Sequence, residues 1–418
     1  MVRTVEMAAA PTPARNGSGP TAAQVDGAGH LLALVRAGRA TTTSELAAAT
    51  QLARSTVQQR LDFLCEAGLL EVAAQLTGQR GRPAGRYVFR PRAGHVLSAH
   101  LGLTGCRTAL SDLDGVVLAD RLDPVDLGEG PEGLVRVVEH GFSALLRRAR
   151  VRLGSVVGIG VGVPSELELR GFARSLGTAS TGWDRDRLET ALRGRYRVPV
   201  LLDLDVNLLA LAEHRTSWPE SEVMVCAKLG TLIDAALVVR GVPVRGVSGL
   251  AGELGHIRVA GSEVPCTCGS TGCLNAVASG QALVRRLQQS GFALDHVRDV
   301  LRLAEDGVPE AVQALRESGR AVGEALSSVV NLLNPGAIAV WGYLADSEPL
   351  LAGIRESVYR LALPGSSEQL EVVTTALGDQ AGVRGAAMHV VDRVLAPTSV
   401  DRMLVTGDWS TDLDLTER

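Results

Sequence analysis

Residues 251–275 read AGELGHIRVAGSEVPCTCGSTGCLN. Within eighteen positions this stretch places His256, Cys266, Cys268 and Cys273, in a chain of 418 residues that holds only six cysteines. Gly255, Gly261, Gly269 and Gly272 lie beside and between them, so the backbone can fold tightly. Three thiolates and one imidazole complete a tetrahedral shell, the closed kind that a structural zinc occupies, whereas a catalytic zinc keeps one position open to water. The spacing therefore predicts a structural zinc ion held by those four side chains.

The composition around the loop is that of a protein able to bury a large aliphatic core, with 46% apolar and 3% aromatic residues, and the length suits two or three domains. No basic start leads into an apolar run, and no window of about 18 residues is apolar and uncharged, so neither a signal peptide nor a membrane span is expected and the reading is cytoplasmic. In a reducing compartment cysteines act as ligands or core thiols rather than disulfides. Cys65, Cys106 and Cys226 sit in apolar surroundings and read as core.

Toward the N-terminus the chemistry changes. Residues 1–26 are rich in Ala, Pro, Thr, Gly and Ser without an apolar period and read as a disordered tail, as does the acidic stretch 397–418. Residues 27–92 carry nine arginines against four acidic residues, about +5, while the whole chain carries −4. A first helix is marked by Leu31, Leu32, Leu34 and Val35. A second opens at Thr42 with Glu45 three residues on, a capping box. A third shows Val57, Leu61 and Leu64 at helical spacing, which turns Arg54, Ser55, Thr56, Gln58 and Gln59 outward. Two strand-like pieces follow, separated by a glycine-rich tip containing Arg80 and Arg82. Helix, helix, helix, strand, tip, strand is the order of a winged helix-turn-helix, whose third helix enters the major groove; two arginines on an extended tip suit a narrow, A·T-rich minor groove.

Residues 93–396 alternate strands and helices, an α/β pattern with two sheets. Here "AGELGHIRV" and "CTCGSTGCLN" resemble the Gly-Glu-x-Gly-His and Cys-x-Cys-Gly-x-x-Gly-Cys-Leu-Glu sequences of the ROK family (repressors, open reading frames, kinases), over roughly residues 28–395. The resemblance implies a two-lobed actin-like, sugar-kinase-like core: a first lobe over 93–200, completed by about 376–396, and a second over 201–375 that carries the zinc loop. It implies that the metal braces Glu253, a sugar-hydroxyl acceptor, and that "LDLDVN" keeps Asp205, the kinase base, and Asn207. Asp205, Asn207, Glu253 and His256 are thus the implied effector-binding residues. Leu204 and Asn275 depart from the family pattern.

The phosphate loops depart further. His100-Leu101-Gly102-Leu103-Thr104 replaces an aspartate and a glycine, Gly230-Thr231-Leu232-Ile233-Asp234 places a branched side chain and a charge where small residues would approach a polyphosphate, and Trp341-Gly342 replaces a Gly-Gly. The expectation is a non-enzymatic DNA-binding transcriptional regulator, a repressor of carbohydrate-related genes with a sugar or sugar derivative as effector. As a homodimer or homotetramer it would bind double-stranded operator DNA, an inverted repeat with A·T-rich flanks, with no membrane partner. The alternatives are an ATP-dependent sugar kinase with a DNA-binding head and an effector-independent DNA-binding regulator.

Overall fold

The computed structural model describes residues 20–73, 85–103, 105–126, 129–164 and 185–409. It divides into two compact units, one formed by the two ends of the chain, up to Ala93 and from Asp392, and the other by Gly94–Val391.

The first unit packs α1 (Ala28–Arg36), α2 (Thr43–Thr50) and α3 (Arg54–Glu66) against a two-stranded antiparallel ribbon, β1 (Leu70–Val72) with β2 (Tyr87–Phe89). Thr42 caps α2: its hydroxyl accepts from the Glu45 amide at 3.3 Å, and the Glu45 carboxylate accepts from the Thr42 amide at 3.0 Å. Leu31, Leu32, Leu46, Val57, Leu61 and Leu64 are buried between the helices, each contributing about 1.5–3 kcal/mol of burial.

Both tails are corrected. Ala22–Val25 is a helical turn with Val25 buried, so the disordered reading of residues 1–26 reached too far. Pro397–Thr406, read as part of an acidic tail, is a helix. Its Val400 and Leu404 are buried, and its Asp401 carboxylate accepts from the amides of Gly27 at 2.8 Å and Gly29 at 2.7 Å. The N-cap of α1, Gly27, has no side chain to cap with, so a carboxylate from the far end of the chain satisfies the orphan amides and meets the positive end of the helix. The two helices approach so closely that a Cβ on Gly29 would lie 2.2 Å from the Pro397 carbonyl oxygen. Gly29→Ala is therefore expected to cost about 1–3 kcal/mol through overpacking; a melting curve that matches the parent's would count against this packing.

The second unit is built on two five-stranded sheets of one topology. In the first, β3 (His95–Leu101), β4 (Gly105–Asp112) and β5 (Val117–Pro124) form an antiparallel meander, and β6 (Val156–Val163) and β7 (Val200–Leu204) add in parallel beside β3, in the order β5-β4-β3-β6-β7. The helix α4 (Gly130–Ala149) precedes β6; α5 (Arg185–Tyr196) precedes β7 and α6 (Asp205–Ser217) follows it. Along α4, Leu134, Val138, Phe142 and Leu145 recur on the buried face, with Pro131 in its first turn and Arg147 and Arg148 in its last. The boundary expected between residues 200 and 201 is corrected: Val200–Leu204 is an edge strand of the first sheet, where it extends the buried surface of β6.

In the second sheet β8 (Val223–Leu229), β9 (Ile233–Val239) and β10 (Val242–Pro243) form the meander, and β11 (Ala337–Trp341) and β12 (Glu371–Thr374) run parallel beside β8. Helix α7 (Gly280–Gln289) and the long pair α8 (Pro309–Leu333) and α9 (Glu348–Leu361) cover this sheet, and α10 (Ala381–Val394) lies over β6 of the first. Among the described residues no helix is long and apolar enough to cross a membrane.

Candidate functional site

The cysteine-rich loop folds as a small ribbon. Arg258 bridges Cys273 and Pro265 bridges Thr271, and the Cys266 amide donates to the Ser270 carbonyl at 2.8 Å. This closure gathers His256, Cys266, Cys268 and Cys273 so that their ligand atoms all lie within 4.8 Å of one another. The Cys268 and Cys273 sulfurs are 3.7 Å apart, and Cys266 Sγ lies 3.8 Å from His256 Nδ1. A tetrahedron with metal–sulfur bonds of about 2.3 Å has an edge of about 3.8 Å, so the cage has the size zinc requires.

Burial, and after it the neighbouring Cys266 and Cys268 sulfurs, push the Cys273 thiol up to about 12. Burial also pulls the His256 imidazole below its usual value, which keeps it a neutral ligand. The other ring nitrogen, Nε2, is 3.7 Å from Glu253 Oε2. At that separation the pair is not hydrogen-bonded, and the contact places the Glu253 carboxylate beside the ligand set.

The loop is pressed onto β9. Gly252, at φ 103°, would carry a Cβ only 2.0 Å from the Ala235 carbonyl, and a Cβ on Gly255 would lie 2.2 Å from that of Ile233. Asn275 accepts from the Ile233 amide at 2.6 Å and donates to its carbonyl at 3.2 Å. A carboxylate could not make the second bond, so the departure at Asn275 pins the altered phosphate loop.

Asp205 opens α6 fully buried. Its Oδ2 accepts from Lys228 Nζ at 2.7 Å and lies 3.3 Å from His100 Nε2. Burial acts to raise its carboxyl, but the Lys228 ammonium, with His100, outweighs burial and holds it below the ordinary aspartate value. His100 in turn packs against Trp341, the rings tilted by 56° with centres 5.6 Å apart. Lys228 stands in register with Asp234 on β9 and with Trp341 on β11, one row across the sheet. Three of the departures noted in the sequence, at His100, Asp234 and Trp341, thus surround one lysine that sequence reasoning missed. The missed signal is simple: Lys228 is the only lysine in the chain.

Of the implied effector residues, Asp205 thus has one oxygen, Oδ2, engaged in an ion pair. The Asn207 amide nitrogen donates to Asp203 Oδ1 at 2.9 Å, while its Oδ1 has no hydrogen-bond partner among the described residues, and Asp203 Oδ2 accepts from Arg245 Nη2 at 2.6 Å.

In the head, Arg54, Ser55, Gln58 and Gln59 are exposed on α3, and Thr56 is half-buried. Gln58 differs from the rest. Its Nε2 donates to Asp62 Oδ1 and to the Tyr87 hydroxyl, both at 2.9 Å, and its Oε1 accepts from the Thr43 hydroxyl at 3.2 Å. The side chain thus ties α2, α3 and β2 while staying exposed on the face expected to read bases. Arg80 and Arg82 lie outside the described residues.

A family model described as the ROK family matches residues 96–393. The chain belongs to the ROK family. Among ROK relatives it is 25% identical over 354 residues to the xylose repressor of Bacillus spizizenii, across 84% of this chain and 91% of the repressor. It is 28% identical over 315 residues to the glucokinase of Streptomyces coelicolor, across 70% of this chain and 96% of the kinase. Among solved structures, a ROK transcriptional regulator described as a homologue of the Escherichia coli MLC protein superposes with a TM-score of 0.74 at 24% identity, covering 92% of this chain and all of that one. A ROK glucokinase of Streptomyces griseus, in complex with glucose and AMPPNP, superposes with a TM-score of 0.59 at 26% identity, covering 70% of this chain and 98% of the kinase. The two-lobed core with a winged helix-turn-helix before it is thus a ROK architecture, and the regulators match more of the chain than the kinases do.

Proposed function

We propose that this ROK protein is a DNA-binding transcriptional repressor of sugar genes whose kinase-like core senses a sugar and does not phosphorylate it. The observation that carries the reading is the Lys228–Asp205 ion pair. In the family pattern that aspartate removes a proton from a sugar hydroxyl; an ammonium 2.7 Å from it stabilises the carboxylate and weakens it as a base. His100 and Trp341 stand at the positions of the missing acid and the missing glycine, where neither supplies the metal-positioning carboxylate or the close backbone approach that a bound nucleotide needs.

Arg54, Ser55 and Gln59 suit base edges in the major groove, Thr56 lies at the margin of that surface, and Arg80 and Arg82 suit the minor groove. One head reads one half-site, so a two-fold homo-oligomer and an inverted-repeat operator follow. His256, Cys266, Cys268 and Cys273 would hold a structural zinc, whose contribution is to brace the loop that carries Glu253. The coverage of regulators such as the xylose repressor beyond that of the kinases supports the reading.

Fluorescence anisotropy on upstream DNA tests it, with a steep fall in affinity as salt rises. Absence of specific binding in the presence and absence of sugars would sink the regulator reading. Within it, Gln59→Ala should change sequence preference by about 1–3 kcal/mol at one base pair, whereas Gln58→Ala should weaken all sequences alike and lower the melting temperature of the head. Sequence selection from a random duplex pool distinguishes the two outcomes. Retention of Asp205 and Glu253 favours a second reading, a sugar kinase with a DNA-binding head; ATP turnover with a hexose in a coupled assay would establish it in place of the sensor.

A further inference from the structure

Lys228 stands alone. The chain holds 42 lysines and arginines, and every one of the others is arginine. A sequence with so strong a preference for guanidinium keeps one ammonium, and keeps it in the row between Asp234 and Trp341, against a fully buried aspartate. The two groups differ physically: ammonium is a compact point charge on a flexible stem, and guanidinium is a wide planar fork that needs two aligned acceptors. Nearby, Arg245 brings both Nε and Nη2 to the single oxygen Asp203 Oδ2. At Asp205 only one carboxylate oxygen is taken. Lys228 and His100 both address Oδ2, while Oδ1, equally buried, has no hydrogen-bond partner among the described residues.

A buried carboxylate oxygen left without a partner is costly and calls for a donor. The surroundings decide what kind. Burial, and then the charges of Glu213, Asp205 and Asp234, push the neighbouring Cys226 thiol well above its ordinary value, so three carboxylates bear on one buried point. A free hydroxyl can donate to Oδ1, whereas the same oxygen esterified with phosphate has no proton to donate.

We propose that Lys228 is the specificity-determining residue of the effector site: by occupying one oxygen of Asp205 it presents the other as a fixed acceptor for the hydroxyl of an uncharged sugar, and the site excludes a sugar esterified with phosphate at that hydroxyl. This rests on the reading of the core as a sugar sensor. Arginine at this place would bring a wider, planar head with two N–H groups in place of a point charge, and so disturb the geometry that leaves Oδ1 open.

The test is calorimetry on the full chain with D-glucose, D-xylose and N-acetyl-D-glucosamine, each beside its terminal phosphate ester. At least one sugar is expected to bind the parent about tenfold more tightly than its ester, since a site built for a hydroxyl rejects its replacement strongly. Lys228→Met and Lys228→Arg should each weaken that sugar about tenfold and bring the sugar-to-ester ratio toward one. That ratio is a readout that a purely structural lysine would not move. If Lys228→Met fails to fold, the double variant Lys228→Met with Asp205→Asn removes both charges together and should show the same loss of discrimination. An ester that binds as tightly as its sugar, a Lys228 variant that keeps the parental ratio, or a panel in which no sugar binds would each overturn the proposal. Operator binding measured on the same preparation reports separately on the regulator reading.

Discussion

Ending the chain at Ala396 is expected to unfold the DNA-reading head and abolish operator binding, although every residue with a place on the DNA-facing surface would remain. The deleted helix buries Val400, Met403 and Leu404 and supplies the Asp401 carboxylate to two amides at the start of α1. Three such side chains contribute about 1.5–3 kcal/mol each, and each bond to a charged acceptor about 1.5–3 kcal/mol. The total, on the order of 8–15 kcal/mol as an upper figure, matches the whole stability of a small domain, about 5–15 kcal/mol. Circular dichroism should lose the signal of the short helices, and hydrogen exchange in α1 to α3 should become fast. Asp401→Ala alone should lower the stability of the head by about 2–4 kcal/mol, because the amides of Gly27 and Gly29 are left without their acceptor. A truncated chain that binds DNA with parental affinity would show that the helix is dispensable.

The second large effect is expected at the cysteine-rich loop. Cys268→Ser should release the metal, taking zinc content from about one ion per chain to near zero by elemental analysis, because a hydroxyl does not replace a thiolate in the tetrahedral shell. Structural zinc sites in isolated fingers account for about 10–16 kcal/mol of apparent folding energy. Here the loss should be smaller, since the ribbon and the Asn275 bonds to Ile233 hold part of the loop without metal. The expected signature is a lower melting temperature together with rapid proteolysis near residues 260–272, and weaker sugar binding as the loop that carries Glu253 loosens. Acidification should act like the substitution, because the thiols must be deprotonated to hold the ion. Unchanged metal content in the serine variant would remove the assignment.

Most of this arrangement was legible at the level of local pattern. The Thr42 capping box, the apolar spacing of α3, the buried run of β6 and the ligand set of the loop each depend on residues close in sequence, where helical and strand periodicities and metal-ligand spacing operate directly. The two tails were misread because Val25, Val400, Met403 and Leu404 are sparse among polar neighbours, and their burial depends on a partner hundreds of residues away. Lys228 escaped notice for a related reason. A lone basic residue inside a strand carries no periodic signal, and only the count of lysines marks it as unusual.

The sequence by itself determined the kinds of element, their order and the grouping of His256 with Cys266, Cys268 and Cys273, because these follow from spacing and side-chain chemistry along a short stretch of chain. Tertiary structure alone decided that the last helix closes the first domain, that Gln58 is a tie, and that the altered loop residues converge with Lys228 on Asp205. Those facts depend on contacts between residues more than twenty positions apart in most cases, and long-range pairing is set by how the sheets and helices pack, which no local pattern encodes.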